Sequence, residues 1–244
     1  MDKEMDLVGH LSELRTRIMI VGGCFLCFFI ISFLFVEEIY HFLVKDLETA
    51  LALLGPTDIL WVYFKIAAVC SLAFTVPVAA YQIWRFVLPA LGEKERKATF
   101  TLIPCLFLLF LIGIGFGYLI IFPTVLHFLQ GLSDGQFQMF YTTEKYFSFL
   151  FQMTVPFGLL FEMPVIVLFL TALGIINPRT IKKSRKISYF VLTVISVLLT
   201  PPDLISDILV LVTLVMLFEL SITLSTIVYR KKLAKEEMAQ SSVS

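Results

Sequence analysis

Six long apolar runs alternate with short polar gaps, and nearly all the positive charge occupies every second gap. Of 19 Lys and Arg, 16 fall in residues 1–17, 85–97, 179–186 and 230–235. Lys45 and Lys145 lie in the alternate gaps, and Lys65 sits just inside an apolar run. Lys and Arg concentrate in loops on the cytoplasmic side of a membrane. The layout predicts an all-α integral membrane protein of six transmembrane helices, with both termini cytoplasmic. Composition agrees: 59% of the residues are apolar and 16% charged, against about 45–50% and about 25% in soluble chains. Net charge is zero, so the overall balance gives no argument for a nucleic-acid partner, and none is expected.

The spans read as about 18–36, 63–87, 98–122, 146–173, 187–200 and 204–228, in a single domain over 1–230. Before the first span, Leu7, Leu11, Leu14 and Ile18 recur at helical spacing. That pattern predicts an amphipathic helix over 5–17 with one face on lipid. Residues 231–244, which end polar and Ser-rich, are expected to be a disordered cytoplasmic tail. A span needs roughly 20 apolar residues. The fifth run, Ile187–Thr200, has 14 and reaches about 21 Å as a helix. A short final hairpin, turning at Pro201-Pro202 and thinning the bilayer around it, follows.

Pro77, Pro104, Pro156 and Pro164 lie within spans and predict kinked helices, because each removes a backbone hydrogen bond. Asn177-Pro178 predicts an N-cap with proline at the first helical position. The first three spans do not recur in the last three, which weighs against carriers built on inverted repeats. Cys24, Cys27, Cys70 and Cys105 all lie in apolar runs and read as small packing residues. His41 and His127 have no evident third ligand, so no metal and no cofactor are expected. The leading segment, acidic and without a small-residue cleavage site, does not read as a cleavable signal peptide.

A few charged residues carry the functional question. Glu13 and Arg17 stand four apart, which suits an ordinary surface pair. Glu93 and Glu95 stand among four basic residues in the 85–97 loop, where mutual neutralisation on a solvated face is the simple reading. The sharper reading joins the two elements: carboxylates on two cytoplasmic segments, near Trp84 and Phe86, suit a peptide bearing guanidinium groups. Glu162 stands inside the fourth span, where a charge costs about 2.5–3.5 kcal/mol. It fits either a helix-packing hydrogen bond or a role in gating, partner docking or substrate passage. Asp203 suits an N-cap after the proline turn. Asp207 and Glu219 lie along the sixth span, and Lys65 reads as snorkelling outward. No Ser/His, paired-Asp or His-Glu-x-x-His arrangement is present, so no enzyme is expected.

Several of these segments together carry a resemblance. His10-Leu11-x-Glu13-Leu14-Arg15-x-Arg17 resembles the N-terminal signature of TatC, the core subunit of the twin-arginine protein translocase. The segment Tyr81-Gln82-x-Trp84-x-Phe86, with Pro89-Ala90-Leu91 and Glu95-Arg96, is similar to that family's first cytoplasmic loop. Phe161-Glu162-x-Pro164 and Thr200-Pro201-Pro202-Asp203 match its fourth-span and last-turn motifs. The resemblance covers about residues 7–230.

It implies a receptor for twin-arginine signal peptides of folded precursors, in an oligomeric complex with single-span TatA- and TatB-type subunits. The bacterial-type cytoplasmic membrane is the implied location and the proton-motive force the implied energy source. Glu13 and Glu95 are then expected to bind the twin arginines, with Phe86, Arg17 and Leu11 shaping the same site. Glu162 would line the concave face, Asp203 would mark the outer hairpin tip, and Asp207 is expected to contact a partner helix. Lys45-Asp46 stands where family members often have a proline. The competing reading is a proton- or ion-coupled small-molecule transporter using Glu162; the lack of repeats and of other intramembrane polar partners weighs against it.

Overall fold

A computed structural model describes residues 2–45, 51–87, 102–133, 141–200 and 204–241. Glu93, Glu95 and the rest of the 88–101 segment lie outside the described residues, as does Asp203; of Leu11 only the backbone is described. The described residues are nearly all helical and include no strand. In chain order the elements are α1 (Asp2–Leu34), α2 (Val36–Val44), α3 (Asp58–Val87) and α4 (Leu102–Phe116), then a π-helical turn (Gly117–Ile121). They continue with α5 (Phe122–Ser133), α6 (Thr143–Phe161), α7 (Met163–Ala172), α8 (Pro178–Lys183), α9 (Arg185–Leu199) and α10 (Leu204–Ser241).

The six spans are α1, α3, α4 with α5, α6 with α7, α9, and α10. By length and composition, all but α9 are long and apolar enough to cross a membrane. At 15 residues, α9 reaches about 22 Å, so the short final hairpin is a feature of the fold.

Three boundaries differ from the sequence reading. No break separates 5–17 from the first span: α1 runs unbroken from Asp2 to Leu34, because no proline or capping residue stops it there. The second span starts early, at Asp58, whose Oδ2 accepts the Leu54 and Gly55 N–H groups at 3.1 and 2.9 Å. The tail expected to be disordered is helical to Ser241. Residues 230–240 are almost all Lys, Leu, Ala, Glu, Met and Gln, the strong helix formers, and nothing there ends a helix.

Prolines act unevenly. Pro77 and Pro156 lie inside α3 and α6 without interrupting them. Pro104 lies in the first described turn of α4, and that span distorts instead at the π turn just before Pro123. Without an N–H, Pro123 leaves the Leu119 carbonyl unsatisfied, and a widened turn accommodates the loss. In the fourth span the break falls at Glu162, two residues before Pro164. There the Val165 and Ile166 N–H groups both reach back to the Glu162 carbonyl, at 3.1 and 3.0 Å.

Packing centres on α6, against α3 and α4, while α1 lies on α3 and α7 lies on α10. Between α4 and α6 the contact is backbone on backbone. A Cβ added at Gly113 would sit 2.4 Å from the Phe157 carbonyl oxygen, and one at Gly117 2.7 Å from the Thr154 Cα. Small residues four apart let two helices approach this closely where lipid supplies no hydrophobic force between them. Phe110, Phe147, Phe157 and Leu150 fill the space alongside. At the outer end, Ala52 pairs with the start of α6, its N–H to the Tyr141 carbonyl at 3.0 Å and its carbonyl to the Thr143 N–H at 2.9 Å. Tyr40 of α2 stacks on Phe147, centroids 5.4 Å apart.

Candidate functional site

The basic ends of α1 and α3 meet through one guanidinium. Arg17 pairs with the Glu13 carboxylate one turn earlier on α1. Its Nη1 also donates to the Gln82 carbonyl and to Gln82 Oε1, each at 3.4 Å, and its Nη2 to the Arg85 carbonyl at 3.3 Å. The two carbonyls belong to the last turns of α3. Arg17 therefore ties α1 to the last described turns of α3 and holds Glu13 at the same time. The Phe86 ring lies 6.0 Å from the guanidinium carbon. The Arg17 side chain is 12% exposed and Glu13 38%, so the carboxylate faces outward and the cation is enclosed. Below them, a groove of about 520 Å³ runs between Leu14, Ile18 and Phe25 of α1 and Leu72, Thr75 and Phe86 of α3.

A second groove of about 550 Å³ opens on the other side of α3. Val76, Ala80 and Trp84 of α3, Leu106 of α4, and Val165 and Phe169 of α7 line it. Glu162 contributes the carboxylate. It is 5% exposed, and neither of its oxygens has a hydrogen-bond partner among the described residues. A helix-packing hydrogen bond is therefore not what the described residues give Glu162. The same two residues of α3, Ala79 and Ile83, wall both grooves.

The structure thus brings Glu13, Arg17 and Phe86 together and sets Glu162 apart in its own groove. Gln82, which the sequence reading did not single out, joins the first group. The signal for it was its place in the Tyr81-Gln82-x-Trp84 segment, one turn before Phe86.

The last hairpin closes on itself. The Asp207 carboxylate accepts from the Thr200 hydroxyl, and its carbonyl from the Ser196 hydroxyl at 2.9 Å. Asp207, expected to contact a partner helix, thus has a partner within the chain. At the basic end Glu219 accepts from Arg185 at 2.7 Å and from the Tyr189 hydroxyl at 2.5 Å. Lys65, expected to snorkel outward, donates to Ser148 Oγ at 2.7 Å and lies 3.8 Å from Glu144, both in the first turns of α6 at the outer end. The early start of α3 brings Lys65 level with the first turns of α6.

A six-span helical bundle with a short last hairpin, a carboxylate pinned at its basic end and a buried carboxylate beyond is that of a multi-pass membrane protein. The family model described as Sec-independent protein translocase protein (TatC) matches residues 9–212. The chain is 54% identical over 237 residues to Sec-independent protein translocase protein TatCd of Bacillus subtilis (strain 168), covering 97% of this chain and 98% of that one. It is 41% identical to TatC of Halalkalibacterium halodurans, covering 98% of each. A solved structure described as the twin arginine translocase receptor TatC superposes with a TM-score of 0.75 at 33% identity, over 90% of this chain and 99% of that one. The chain belongs to the TatC family.

Proposed function

We propose that this protein is the receptor subunit of a twin-arginine translocase in a bacterial-type cytoplasmic membrane. It binds the Arg-Arg signal peptides of folded precursors and assembles, as an oligomer, with single-span TatA- and TatB-type subunits. The observation that carries the reading is Glu13, an outward-facing carboxylate fixed by Arg17 beside the last described turn of α3. A second carboxylate, Glu95, completes a two-point site for the paired guanidinium groups, since planar forks bind carboxylates through two parallel hydrogen bonds. Arg17 itself is no ligand for arginine, because like charges repel; it is a positioning residue. Phe86 and Leu11 supply the apolar flank, and Glu162 awaits a partner or the passing chain in the second groove. Asp203 marks the outer tip of the hairpin. The proton-motive force drives transport, and residues 1–230 act as one domain.

Purified protein in nanodiscs tests the site directly. A signal peptide bearing Arg-Arg should bind at least tenfold more tightly than its Lys-Lys counterpart, because an ammonium lacks the bidentate fork. Glu13→Ala and Glu95→Ala should each abolish the difference while the protein stays folded. Equal binding of both peptides to the native protein overturns the receptor reading.

A further inference from the structure

The receptor reading uses none of the five basic residues in 179–186. Topology alone asks only that such charge be present on one side, in any arrangement. Here it is held in a fixed one. Gly174, with φ 76°, ends α7, and Asn177 Oδ1 accepts the Arg179 N–H at 2.9 Å to start α8. Pro178 is buried and Ile181 packs against the core, so this turn is pinned to the bundle with Arg179, Lys182 and Lys183 exposed. Arg185 is engaged with Glu219. Arg179, Lys182, Lys183 and Lys186 have no ion-pair partner among the described residues.

Directly past these cations α9 presents an unpartnered apolar stripe. Ile187 is 70% exposed and Phe190 71%, and Val194 and Leu198 continue the same face at spacings of three and four. We propose that α8 and the head of α9 form a binding site for an anionic phospholipid. Lys183 and Lys186 hold its phosphate, and its acyl chains lie along the stripe. A free phosphate or an acidic protein surface would use the cations and leave the stripe beside them uncovered; a phospholipid uses both. The dimensions agree, since one leaflet of about 15 Å matches roughly ten residues of helix.

The test uses the full-length protein in detergent micelles, with dioleoyl-phosphatidylglycerol or dioleoyl-phosphatidylcholine added and bound lipid counted by native mass spectrometry. The glycerol lipid should bind more tightly than the choline lipid. The double variant Lys183→Gln, Lys186→Gln should lower that affinity about 25-fold, at about fivefold per cation near an anionic headgroup. It keeps Arg179, Lys182 and Arg185, so orientation is preserved. Choline-lipid binding should not change, and Lys145→Gln, in the opposite gap, should leave both lipids unaffected. If the double variant does not purify as a folded protein, Lys186→Gln alone should give about a fivefold loss. Equal affinity for the two lipids, an unchanged affinity in the variants, an equal loss in Lys145→Gln, or displacement of the lipid by millimolar inorganic phosphate overturns the proposal.

Discussion

Arg17 and Glu162 show how a single side chain's surroundings decide its part. Charge alone says that removing Arg17 should strengthen binding of a cationic peptide, since a competing cation is lost. Geometry says the reverse, because Arg17 fixes Glu13 and ties it to α3. Arg17→Gln is expected to weaken Arg-Arg peptide binding roughly tenfold or more, a loss of about 1.4 kcal/mol, with Arg17→Lys intermediate. Tighter binding by the Gln variant, measured by calorimetry, would show that charge competition dominates. For Glu162, a buried polar group without a partner costs about 1–3 kcal/mol. Glu162→Leu should therefore raise the unfolding midpoint of the purified protein while lowering transport in membrane vesicles. A variant that lost stability would mean that the carboxylate holds the fold together.

Among the elements, the contact between α4 and α6 is the most sensitive to small changes. Gly113→Ala places a methyl 2.4 Å from a backbone oxygen, an overpacking expected to cost about 1–3 kcal/mol. Gly115, two residues on, has nothing within 4 Å of its virtual Cβ. Gly115→Ala should be neutral or stabilising by up to about 1 kcal/mol. Unfolding in mixed micelles that showed equal effects would refute this account of the helix contact. The sequence made the spans themselves legible, since apolar run length and the alternating basic gaps are local signals. The Asn177 cap was legible for the same reason. Pairs such as Arg185 with Glu219 and Lys65 with Glu144 were not, because periodicity along one helix says nothing about what a neighbouring helix sets opposite it. The unbroken α1 was missed because amphipathic and fully apolar patterns join within one helix when no residue stops it. For the candidate site, the sequence supplied Glu13, Arg17 and Phe86 but not the Arg17 contacts to Gln82 and Arg85 that join them, which depend on how α1 lies on α3.

On the scale of the whole molecule, the bundle has unequal thickness. Five spans exceed 20 residues, whereas α9 reaches about 22 Å against a hydrocarbon core of about 30 Å. Spin labels at successive positions of α9, read for depth in a bilayer, should report a hydrocarbon layer several Å thinner than labels along α1. Equal depths on the two sides of the bundle would mean that snorkelling flanks let α9 meet an ordinary bilayer. The bundle also has an internal wall. Ala79 and Ile83 separate the groove under Glu13 from the groove that holds Glu162, so the two compartments are one side chain apart. An occupant that displaces Ile83 in one of them changes the free energy of filling the other. By thermodynamic reciprocity the second occupant must return any such effect by the same factor, so a substitution at Ile83 is where coupling between the two grooves would be measured.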